Sequence, residues 1–129
     1  MRAAAFAAVL AIAASTAHAQ HEACVVAPYR GASSPEGAVA EVRLRNNGFP
    51  CVMPNYGAPN EKRFPADSGR ILAPARHGTA RFVAPNATYV PTPGFVGDDE
   101  FQYEAYARGG AGTPVRLLVT VKVRVQPPR

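Results

Sequence analysis

The sequence predicts an all-β fold: an antiparallel β-sandwich with one disulfide, preceded by a signal peptide. Three observations carry that expectation. Thirteen prolines and 11 glycines are scattered along 129 residues and leave little room for helices. The final third alternates apolar and polar residues with period two, the signature of half-buried strands. Residues 1–19 read as an export signal, and both cysteines lie beyond it.

Met1-Arg2 supplies a short positive start, and Ala3–Ala14 is almost wholly apolar. Ala17-His18-Ala19 then forms a small-x-small cleavage site before Gln20. The apolar run is shorter than the ~20 residues a membrane helix needs, so cleavage is expected rather than anchoring. Residues 20–129 are therefore read as one domain in the periplasm or outside the cell, with no membrane span after signal cleavage. Cys24 and Cys51 survive cleavage, and an even count in an oxidising compartment argues for one bridge. Closing that loop would stabilise the fold by roughly 3.5 kcal/mol through the entropy of the denatured chain.

Within the domain, Cys24–Tyr29 is a short strand candidate. Val39–Arg45 is a clearer one, with Ala40, Val42 and Leu44 inward and Glu41, Arg43 and Arg45 outward. Asn46-Asn47-Gly48 signals a turn, after which Phe49–Met53 is expected to return beside that strand. Pro54–Ser68 is polar, is interrupted by Pro59 and Pro65, and reads as a loop. Thr79–Ala84 alternates again, Pro85-Asn86 turns the chain, and Thr88–Val90 is a short strand. Glu100–Arg108 sets Phe101, Tyr103, Ala105 and Ala107 on one face and Gln102, Glu104, Tyr106 and Arg108 on the other. Gly109-Gly110-Ala111-Gly112 links it to Val115–Val125, predicting a hairpin. In that last strand the odd-numbered residues face the core; Arg116, Thr120, Lys122 and Arg124 face water, with Leu118 the one apolar residue among them.

The stretch Pro74-Ala75-Arg76-His77-Gly78-Thr79, then Tyr89-Val90-Pro91-Thr92-Pro93-Gly94-Phe95-Val96-Gly97-Asp98-Asp99-Glu100-Phe101-Gln102-Tyr103, closes with the valine strand. It resembles the bacterial immunoglobulin-like and cadherin-like modules of surface and secreted proteins, in their P-x-H-G-T and Y-x-P-x-x-G-F-x-G-x-D-x-F-x-Y segments. The resemblance covers Ala73–Val125 and leaves the N-terminal half unclaimed. It implies an immunoglobulin-like sandwich, in which Gly94 and Gly97 take positive φ before a strand and Asp99 closes that turn. It also implies that Tyr103 acts as a corner tyrosine whose hydroxyl bonds the backbone. A scaffold of this kind does not itself specify an activity.

The net charge is +5, and most of the basic side chains are arginine, whose planar fork suits carboxylate, phosphate or sulfate. No basic block is interleaved with aromatics, and export argues against nucleic acid. Asp98, Asp99 and Glu100 form an acidic run, the weak calcium candidates of this chain, and adjacent strand residues point to opposite faces. His21, His77 and Met53 carry copper-type donors without a binding spacing. The mature serines, Ser33, Ser34 and Ser68, lie outside any G-x-S-x-G context, so catalysis is not expected. The binding candidates are Arg43 and Arg45, facing an anionic envelope polymer, and Tyr106, in a protein-binding patch with Leu118. The expected role is an exported, non-catalytic binding or structural module with no cofactor and a protein or anionic polymer as partner. The alternative is a small exported metal-binding protein or enzyme with an undetected site.

Overall fold

A computed structural model describes residues 24–58 and 61–129. The expected signal peptide and His21 lie outside the described residues. The described residues form ten strands and no helix. In chain order they are β1 (Cys24–Val26), β2 (Ala38–Arg45), β3 (Cys51–Pro54), β4 (Tyr56–Ala58), β5 (Glu61–Pro65), β6 (Ser68–Ala73), β7 (Gly78–Val83), β8 (Asn86–Pro91), β9 (Gly97–Arg108) and β10 (Pro114–Gln126).

Five strands form one sheet in the order β1-β2-β10-β9-β6, and three form a second in the order β3-β8-β7. Their inner faces share one core. Val42, Leu44, Phe101, Tyr103, Val119, Val121, Val123 and Val125 of the larger sheet meet Cys51, Met53, Ala87 and Tyr89 of the smaller. Tyr89 stacks on Phe101 across the two layers, ring centroids 5.7 Å apart and planes within 4°. Burial of such side chains contributes about 1.5–3 kcal/mol each, the main force holding the layers together. Alternation in β2, β9 and β10 assigns the core residues as the sequence pattern predicts, because one face of each strand is sealed by the second sheet.

The Cys24–Cys51 bridge is present, with Cα atoms 5.6 Å apart, and ties edge strand β1 of one sheet to edge strand β3 of the other. The sandwich is thus closed covalently along one side.

Four expectations need correction. First, the sandwich is not wholly antiparallel. β2 runs parallel to β10, from Val119 opposite Ala38 to Gln126 opposite Arg45; every other ladder among the described residues is antiparallel. Second, Phe49–Met53 does not return beside β2. Both flanks of β2 are already occupied, by β1 and β10, so the turn carries the chain into the other layer, where β3 pairs with β8. Asn46 secures that crossing: its side-chain amide donates to the carbonyls of Thr92 (2.8 Å) and Phe95 (3.0 Å).

Third, Pro54–Ser68 is not a loop. It contains β4 and β5, paired antiparallel from Tyr56 opposite Pro65 to Ala58 opposite Glu61, a local hairpin that leaves no amphipathic trace in the sequence. Fourth, β6 is an edge strand that the sequence pattern does not announce. A register shift between Ile71 and Ala73 displaces Leu72 and breaks the period. β6 matters below, because it supplies Arg70.

Candidate functional site

The outer face of the five-stranded sheet carries most of the charge, and strand register sets its pattern. Arg43, Arg124 and Asp98 form one row across β2, β10 and β9; Glu41, Lys122 and Glu100 form the next. Arg124 Nη1 lies 2.9 Å from Asp98 Oδ1, both side chains well exposed. With Arg76 and His77 of the β6–β7 connection, these rows line an open groove of about 1090 Å³. Three carboxylates alternate with the cations here, so this end of the face is mixed rather than basic. Arg43 is exposed within it, whereas Arg45 is half-buried and donates from Nη1 to the Pro127 carbonyl at 3.2 Å.

Tyr106 does not join Arg43 and Arg45. Its register partner is Arg116, eight positions from Arg124 on β10, which places the two ends about 26 Å apart at the ordinary strand rise. Nor do Tyr106 and Leu118 make an apolar patch. The Leu118 amide donates to the Ala32 carbonyl at 2.8 Å, and Gly37 lies so close that a Cβ there would approach the Leu118 side chain to 2.8 Å. The segment before β2 therefore covers Leu118.

Beside Tyr106 sits a cluster that sequence reasoning took for solvated surface. Glu104 belongs to the outer face by alternation, yet its side chain is only 3% exposed. Its neighbours in register are Arg70 on β6 and Leu118 on β10. Arg70 Nε donates to Glu104 Oε1 at 2.7 Å, and Arg116 Nε donates to Oε2 at 2.7 Å, with Arg116 Nη2 2.7 Å from the same oxygen. Those two arginines, with help from the Tyr106 hydroxyl, overcome the opposing effect of burial and hold the carboxyl at about 2. The hairpin register sets Arg116 opposite Tyr106, one step diagonally from Glu104 on the same face; Arg70 was hidden by the irregular β6.

The acidic run divides as strand geometry requires. Asp98 and Glu100 point outward, while Asp99 points inward opposite Val123 and is buried. Asp99 Oδ1 accepts from the Arg76 and Glu100 amides, both at 2.9 Å. Its Oδ2 accepts from the His77 amide at 2.9 Å and the Tyr89 hydroxyl at 2.8 Å. Burial works to raise this carboxyl, but the four donors outweigh it and hold it below its ordinary value. Burial first, then the bond to Asp99, pushes the Tyr89 phenol far above the usual tyrosine range. Asp99 is thus a fastener between β9, β8 and the β6–β7 connection, and the three calcium candidates do not converge. Among the described residues, no group of three or more His, Cys, Asp or Glu side chains is arranged to hold a metal.

Tyr103 departs from the expected corner. Its hydroxyl donates to the side chain of Asn55, at 2.6 Å, rather than to backbone. Asn55 completes the link, its amide donating to the carbonyls of Met53 (2.9 Å) and Pro85 (3.3 Å). Burial drives the Tyr103 phenol strongly upward. His77 stacks on Phe95 with ring centroids 4.3 Å apart, which packs the loop before β9 against the start of β7. Cys24 and Cys51 are joined and close the opposite side. Compared with known proteins, the chain matches no protein-family model, no curated protein and no solved structure.

Proposed function

We propose that the protein is an exported, non-catalytic immunoglobulin-like module that acts by binding in the bacterial cell envelope or secreted fraction. One observation carries this reading: both ends of the outer face of the five-stranded sheet present exposed arginines, Arg43 and Arg124 at one and Arg70 and Arg116 at the other. Asn55, Asp99 and Glu104 are the buried polar residues among those described, and each is hydrogen-bonded within the protein. Exposed guanidinium groups of this kind favour an anionic partner. The immunoglobulin-like assignment draws support from the strand order. β3-β8-β7 facing β10-β9-β6 matches the B-E-D and G-F-C order of such sandwiches, with β2 joined to the last strand. The disulfide supports an oxidising compartment.

The test uses the exported, processed protein as bait against envelope extract from the exporting cells. Capture of an anionic polymer or an acidic protein, weakened by raising salt, is the expected result. Two charge-reversed baits, Arg43→Glu with Arg45→Glu and Arg70→Glu with Arg116→Glu, assign the end of the face responsible. Undiminished capture by both would remove this face from the binding role.

A further inference from the structure

We propose that Arg70, Arg116 and Tyr106 form a subsite for the carboxylate of an acidic polysaccharide, with Glu104 as the buried residue that positions the two arginines. This rests on the reading of the outer face as a surface for an anionic polymer and moves the contact to a defined place on it.

The geometry is unusual for a solvent-facing carboxylate. A surface ion pair leaves both partners wet and contributes little. Here the carboxylate is 3% exposed while its partners remain open, Arg70 at 72% and Arg116 at 46%. The bonds to Glu104 use Nε of Arg70 and Nε with Nη2 of Arg116. The Glu104 bond of Arg70 uses only Nε, so its Nη groups can face an incoming anion, while Arg116 is held by Glu104 and by the Tyr106 hydroxyl. Two long side chains are thereby fixed before any ligand arrives, which removes the rotamer entropy that usually weakens arginine binding. The cluster carries two positive charges against one negative, and Arg108 adds a third guanidinium two residues beyond Tyr106 on the same face; Asp67, beside Ser68, opposes it.

Carbohydrate is favoured over other anions by what flanks the arginines. Tyr106 is 41% exposed and lies opposite both Arg116 and Ser68 in register. An open aromatic ring beside a guanidinium pair offers a sugar both an apolar face and a carboxylate partner. The Ser68 hydroxyl is exposed on the same row. The segment covering Leu118 walls one side, and the edge strand β6 leaves the other open, so an extended chain can lie across the strands.

The experiment titrates the processed protein with oligogalacturonate of defined length by calorimetry, with neutral cello-oligosaccharide, polyphosphate and poly-glutamate as controls. Oligogalacturonate is expected to bind at one site. Arg70→Ala and Tyr106→Ala are each expected to weaken it about tenfold, the loss of one charge-assisted contact or one stacked ring. Glu104→Gln is the decisive variant. It raises the net charge by one, so simple charge attraction would tighten binding, whereas loss of the positioning residue weakens it. Arg70→Lys, which keeps charge and fold but not the fork, is expected to weaken binding as well. No oligogalacturonate binding, equal binding of poly-glutamate or polyphosphate, or tighter binding by Glu104→Gln would each overturn the subsite. Loss only in Arg43→Glu with Arg45→Glu would overturn it too, yet leave the anionic-polymer reading standing.

Discussion

Asp99→Asn isolates the fastener that joins β9 to β8 and the β6–β7 connection. The substitution keeps the shape but turns one acceptor into a donor. If the new amide group replaces Oδ2, the Tyr89 hydroxyl can rotate and accept, but the His77 amide faces another donor. If it replaces Oδ1, the Arg76 and Glu100 amides both do. At least one backbone N–H is orphaned, costing about 1–3 kcal/mol, and the surviving bonds lose charge assistance worth about 1 kcal/mol more. Relief of carboxylate desolvation returns part of this, leaving a net loss of about 2–3 kcal/mol. Against a total of about 5–15 kcal/mol that is a large fraction, and the melting temperature should fall by roughly 8–20 °C. Urea unfolding at pH 7, followed by circular dichroism, measures it. The pH dependence supplies a second check. The Asp99 carboxyl is held below its ordinary value of 3.8, so its contribution is complete above that pH and is lost as pH falls through the lower folded value. The gap between wild type and variant must therefore narrow in acid. A difference below about 0.5 kcal/mol at pH 7, the range of an unremarkable surface change, would refute the reasoning, as would a gap independent of pH.

Replacing Cys24 and Cys51 together by alanine releases a bridge with a sequence separation of 27 and is expected to lower stability by roughly 3.5 kcal/mol in urea titration; a change under about 1 kcal/mol counts against the staple. Tyr103→Phe leaves the Asn55 side-chain carbonyl without its donor inside the core, and unfolding should be easier by about 1–3 kcal/mol, with no loss expected only if water replaces the hydroxyl. Gly37→Ala meets both a φ of 76° and a Leu118 carbonyl 2.6 Å from the added Cβ, so a loss above about 2 kcal/mol is expected, and a neutral result would mean that this segment does not cover Leu118.

The parts of the fold that could be read from the chain are those whose residues alternate against a sealed layer. β2, β9 and β10 meet that condition along their whole length, which is why Val42, Phe101, Tyr103 and Val121 were assignable to the core from spacing alone. β6 fails it because Gly69 and the register shift at Leu72 interrupt the period, and β4–β5 fails it because its strands are short, shift register and carry Gly57 and Pro65, so no run of alternating residues is long enough to read. β3 was visible as a strand but not as a member of the second sheet, since an Asn-Gly turn reports a change of direction and not which neighbour is vacant.

The same limit applies to the polar side chains, and it decides where function should be sought. Alternation assigns a face; it does not say what lies over that face. Asp98, Asp99 and Glu100 look like one acidic site in sequence, and the pleat sends the middle one inward to four donors. Glu104 looks like ordinary surface, and two arginines from β6 and β10 enclose it. The Asp99 bonds stay within the core and the adjoining connection, so they serve stability. The bonds of Glu104 reach outward to guanidinium partners that stay about half-open or more, so they also hold charge at the surface. A buried carboxylate that holds two open guanidinium groups in place beside an exposed tyrosine can serve the fold and the surface at once, and the Glu104→Gln binding measurement separates the two roles.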